Sequence, residues 1–101
     1  MAVYIDELMP SPRKGPWRHK VSCHLIADDI EELHDFACFL GLRRAWFQGD
    51  SVIPHYDLTR GKRFEAVRLG AIEIDRAEMG RRIHEVRKQR AAADEVTHDL
   101  Q

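Results

Sequence analysis

Residues 21–41 constrain the fold more than any other part of the chain, because "VSCHLIA" runs straight into "DDIEELHDFACFLG". The first part predicts a strand over Val21–Ala27, with Val21, Cys23, Leu25 and Ala27 on one face and Ser22, His24 and Ile26 on the other. In the second part, Asp28 followed three residues later by Glu31 has the form of a capping box. Ile30, Leu33, Ala37 and Leu40 then recur at helical spacing, and Gly41 is a natural stop. A strand feeding a one-sided helix is the opening of a strand-helix-strand unit.

The same signals recur along the chain. "AVYI" (residues 2–5) reads as a first strand, "RAWFQ" (44–48) as a third and "AIEI" (71–74) as a fourth. Thr59 can cap a second helix with Phe64, Ala66 and Val67 on its apolar face and Gly70 at its end. Asp75 and Glu78 repeat the capping-box spacing ahead of Met79, Ile83 and Val86 in a third. Between the first two strands, "MPSPRKGPWRHK" is rich in proline and is expected to be a loop, long enough for a lid or binding segment. The order β-β-α-β-α-β-α predicts a small α/β domain over residues 1–90: a mostly parallel four-stranded sheet with about three helices and right-handed crossovers. The tail over 91–101 loses its pattern and is expected to fray.

With 101 residues the chain suffices for one core without staples, and its net charge of −1 gives no general attraction to nucleic acid or anionic membrane. Trp17 among the cations Arg13, Lys14, Arg18 and Lys20 suits single-strand nucleic-acid stacking, but the acidic run from Asp28 to Asp35 opposes it. The sequence holds no membrane-length apolar run and no signal-peptide pattern, and its two cysteines fit a reducing compartment, so a cytoplasmic location is expected. No phosphate-loop, dinucleotide or nucleophile-elbow motif identifies a cofactor. Cys23, His24, His34 and Cys38 carry zinc-compatible atoms, but adjacent strand residues point to opposite sides, so the four do not converge. Asp6, His55 and Asp57 are chemically suited to a divalent ion without having a ligand spacing, and no metal ligand is assigned.

"VYIDE", "SCHLIAD", "ELHDFACFLGL", "WF", "HYDL", "KR" and "AVRLGAIEI" together resemble the bacterial and bacteriophage family called domain of unknown function 4031, over residues 2–75. That resemblance implies a compact α/β domain, found alone or joined to an HD-type phosphohydrolase-like domain. It implies polar site positions at Asp6, His24, His34, Arg44, His55, Tyr56, Asp57 and Arg63.

Read by their own surroundings, these residues differ. His24 lies within a strand, where an imidazole bonded to a backbone carbonyl is as good a reading as a functional one; His34 beside the apolar stripe reads as helix packing. His55, next to a phenol and a carboxylate in a loop, is the strongest candidate, with His55 and Asp57 as general acid and base. A ligand crevice is expected outside the carboxyl ends of the strands, near Asp6 and the "HYD" run. There the start of the second helix, with Arg60, Lys62 and Arg63, would favour an anion, although the same residues also read as a solvated first turn. The resulting expectation is a domain that binds a phosphate-containing small molecule or nucleotide. Arg44 and Arg63 would contact the anion, and Tyr56, Asp6, His24 and His34 complete the site. The alternatives are an interaction protein that binds a host protein and a His/Asp-based hydrolase. Whether the chain is an enzyme, and whether it forms a homo-oligomer, is left open by the sequence.

Overall fold

The computed structural model describes residues 2–11 and 19–99, with side chains of the last helix described to residue 93. Trp17, Arg13, Lys14 and Arg18 lie outside the described residues. The elements are β1 (Val3–Ile5), β2 (Met9–Pro10), β3 (Val21–Ala27), α1 (Ile30–Phe39), a 3-10 turn (Arg44–Trp46), β4 (Tyr56–Leu58), α2 (Arg60–Arg68), β5 (Ile72–Glu73) and α3 (Arg76–Asp99).

The sheet is mostly antiparallel, which corrects the expected parallel arrangement. The long strand β3 pairs antiparallel with β1 and β2 along one edge and with β4 along the other; only β1 and β5 run parallel. The strand order across the sheet is therefore β4-β3-β1-β5, with β2 extending β1. A physical cause lies in the expected third strand, "RAWFQ". Arg44, Ala45 and Trp46 are all exposed and only Phe47 turns inward, so the run lacks two alternating faces and closes into a 3-10 turn. Helix α1 carries the chain back along β3, residues 47–55 carry it across again, and β4 therefore enters from the opposite end. Gln48 and His55 close that excursion with an isolated bridge. The crossover β4-α2-β5 joins two strands of like direction on opposite edges, with α2 beneath β3 and β1.

One sheet face forms the core. Val3, Ile5, Cys23, Leu25, Tyr56 and Leu58 point to it, and Leu33, Ala37 and Leu40 of α1 and Ala66 of α2 cover it. Helix starts follow the local signals with one displacement. Thr59 accepts from Lys62 N–H at 3.2 Å and Asp75 from Glu78 N–H at 2.8 Å, as expected of N-caps. At α1 the cap is Asp29, which accepts from Glu32 N–H, because Asp28 is still extended: its N–H donates to Ala2 O at 3.0 Å. The Asp28 carboxylate instead accepts from Ala2 N–H and Tyr4 O–H. Gly41 leaves α1 at φ +76°, a conformation that disfavours residues with a Cβ.

On α2 the expected apolar face is also displaced. Phe64 is 66% exposed, since it stands two residues, about 200° of helical rotation, from the buried Ala66. The inward positions beside Ala66 are Lys62 and Arg63. Lys62 Nζ donates to Leu40 O at 2.6 Å, and Arg63 Nε to Asp6 O at 2.9 Å. Helix α3 lies over the second sheet face through Met79 and Ile83, and the Arg82 guanidinium sits 3.9 Å from the Tyr4 ring centroid. Among the described residues no helix is long and apolar enough to cross a membrane.

Candidate metal centre

Alternation and register assemble a polar cluster on the sheet face beneath α3. His24 of β3 stands directly opposite Asp57 of β4, so the two side chains emerge on one face. His55, two residues before Asp57, emerges there too. Asp6 reaches His24 from the other flank. Between β1 and β2 the register against β3 slips by one residue, the mark of a β-bulge, and Asp6 stands at this slip with its N–H donating to His24 O.

The hydrogen bonds settle how both imidazoles are oriented. Asp6 Oδ1 accepts from His24 N–H at 2.6 Å, and Asp6 Oδ2 accepts from His24 Nδ1–H at 2.7 Å. His55 Nδ1–H donates to Ile53 O at 2.9 Å. A carboxylate and a carbonyl can only accept, so each ring has a proton on Nδ1, and in its neutral form the lone pair is on Nε2. Both Nε2 atoms lie near Asp57: His55 Nε2 is 3.4 Å and His24 Nε2 3.8 Å from Asp57 Oδ1. One donor atom from each of the three residues falls within 4.8 Å of the others. Tetrahedral ligands at bond lengths of about 2.1 Å stand about 3.4 Å apart, close to the two distances from Asp57 Oδ1.

The same arrangement attracts protons as well as a cation. The hydrogen bond to Asp6 raises the His24 pKa above its ordinary value, overcoming burial, which lowers it; the charges of Asp6 and Asp57 add to the rise. Burial works against the Asp57 carboxylate, yet hydrogen bonds from His55 and Gln48 and the charge of the protonated histidines hold its pKa below the usual value. Gln48 donates from Nε2 to Asp57 Oδ2, which leaves Oδ1 for the cluster. Burial, then the charge of Asp6, pushes the Cys23 thiol up to about 12, which removes it as a nucleophile near neutral pH.

The eight expected site residues divide between the two sheet faces. Asp6, His24, His55 and Asp57 come together. Tyr56 points to the core, where its hydroxyl is hydrogen-bonded to His34 Nδ1 at 2.8 Å; His34 stacks edge-on against Phe47 at 4.5 Å, and the Arg44 guanidinium stands 5.1 Å from the same ring. Arg63 is engaged by Asp6 O and, at 3.2 Å, by Glu73. The expected crevice beyond the strand ends gives way to a sheet face, since antiparallel neighbours have no common carboxyl end. Gln48 and the Ile53 carbonyl orient the cluster but carried no sequence signal beyond lying in the loop that leads to His55.

The structure thus defines a small α/β domain with a two-histidine, one-aspartate cluster on one face of a mostly antiparallel sheet. Residues 3–86 match the model of the family described as protein of unknown function (DUF4031), and the chain belongs to that family. No curated protein and no solved structure matches it.

Proposed function

We propose that the chain is a divalent-metal-dependent hydrolase of a phosphate-containing small molecule, with the ion held by His24 Nε2, His55 Nε2 and Asp57 Oδ1. The observation that carries this reading is that both imidazoles have Nδ1 committed as donors, so that in the neutral rings both Nε2 lone pairs meet beside one carboxylate oxygen. Two histidines and one carboxylate suit zinc, iron(II) or manganese(II), and three protein donors leave positions for water and for a phosphoryl oxygen. A bound ion lowers the pKa of its water towards about 7. Such an ion, when bound, would supply a hydroxide for attack on phosphorus, with the ester P–O bond breaking and the leaving oxygen protonated from solvent. In this reading Asp6 strengthens His24 as a ligand, and His55 and Asp57 hold the ion rather than exchange protons.

Thermal denaturation with zinc or manganese, followed by release of nitrophenol from nitrophenyl phosphate, tests the proposal. Metal at a hundredfold its Kd stabilises the fold by about 2.7 kcal/mol. The double variant His24→Ala/His55→Ala loses both that stabilisation and turnover. A wild-type chain whose melting ignores every divalent ion refutes the reading.

A further inference from the structure

The cluster opens into a cleft whose walls say what kind of substrate it takes. His24 and His55 line a space of about 200 Å3 between the sheet, the loop before β4 and α3. Most of its other walls are hydrocarbon: Ile26 from β3, Val52 and Ile53 from the loop, Met79 and Ile83 from α3. Arg87, one helical turn beyond Ile83, also lines the cleft and supplies positive charge.

We infer that this cleft seats a compact apolar group of the substrate, one ring or a short branched chain, attached directly to the anion at the His24–His55–Asp57 cluster. The inference rests on the metal-site reading for the position of the anion and adds the substrate body. An apolar cavity of about 150 Å3 accommodates benzene, so this space takes one ring, whereas drug-sized ligands need about 300 Å3 or more. A nucleobase fits the walls poorly. It would bury several donors and acceptors against hydrocarbon, with Ser51 as the one neutral polar side chain lining the cleft. Arg87 matches an anionic substituent next to that apolar body.

Titration of phenylphosphonate, methylphosphonate and adenosine monophosphate, followed by NMR shifts on metal-free and zinc-loaded protein, tests this. Phenylphosphonate is expected to bind at least tenfold more tightly than methylphosphonate in both forms, with the adenosine nucleotide no tighter than methylphosphonate. Ile83→Ser or the loop variant Val52→Ser brings the phenyl-to-methyl ratio close to one without changing zinc affinity, and Arg87→Gln weakens both phosphonates alike. A ratio near one in the wild type, or tightest binding by the nucleotide, overturns the inference. A tenfold ratio that persists while zinc has no effect on any affinity refutes the metal reading and leaves the apolar cleft standing.

Discussion

Asp6 and His24 hold each other at two points, the carboxylate taking the backbone N–H with one oxygen at 2.6 Å and the ring Nδ1–H with the other at 2.7 Å. Asp6 is only 2% exposed, while the His24 side chain remains 43% exposed, so a buried anchor aims an accessible ring. Asp6→Asn keeps one acceptor but turns an amide N–H2 towards Nδ1, which moves the imidazole proton to Nε2, where the ion binds. Zinc affinity should fall about 10–100-fold, and stability by about 1–3 kcal/mol, read by calorimetric titration and by urea unfolding. Unchanged affinity would show that the carboxylate does not set the tautomer.

Arg63 ties α2 to the sheet edge, donating to the bulge carbonyl of Asp6 and pairing with Glu73. Arg63→Ala should destabilise by about 1.5–3 kcal/mol, the range for hydrogen bonds to a charged group. Arg63→Lys should restore little of it, because a single ammonium does not reproduce the two-directional fork. Stability in chemical denaturation within about 0.5 kcal/mol of wild type, the scale of an inert surface change, would count against this role.

The start of α1 discriminates between two adjacent aspartates. Asp29→Ala should cost about 1 kcal/mol through the uncapped Glu32 N–H. Asp28→Ala should leave the helix intact and loosen the β1 end instead, where it holds Ala2 N–H and Tyr4 O–H. Amide hydrogen exchange separates the two, with faster exchange in the first turn of α1 for Asp29 and in β1 for Asp28.

His34 gives the fold a defined acid sensitivity. Burial, then the charge of Arg44, lowers its pKa, and its Nε2 is buried with no hydrogen-bond partner among the described residues. With a folded pKa below the unfolded value of 6.5, the unfolded chain binds more protons between the two, so stability rises with pH there. Stability is therefore complete above 6.5 and is lost as pH falls through that value towards the folded pKa. His34→Gln should flatten this slope in urea midpoints measured from pH 7.5 to 5, values of roughly one pH unit either side of the histidine range. An unaltered slope would assign the sensitivity to other groups.

How much was legible depended on the range of the interaction. Thr59 and Asp75 are caps because each bonds a backbone amide three residues ahead, and a local pattern predicts a local bond. Asp28 misled because β1 pairs far enough along β3 to keep it extended, an interaction across 26 residues that the capping spacing does not contain. Arg44 and Arg63 are legible in the sequence as charge, whereas their contacts with the Phe47 ring and the Asp6 carbonyl depend on the fold. Tyr56 and Asp57 are neighbours in the sequence, but strand alternation sends one to the core and the other to the site.

By itself, then, the sequence determined the helices, the long strand β3 and the residues able to hold a proton or an ion, because propensity, caps and side-chain chemistry act within a few residues. Only the tertiary structure decided that β4 runs antiparallel to β3, and therefore that His24 faces Asp57. Strand direction depends on where the connecting segment re-enters the sheet, and a one-residue change of register would have sent His24 and Asp57 to opposite faces.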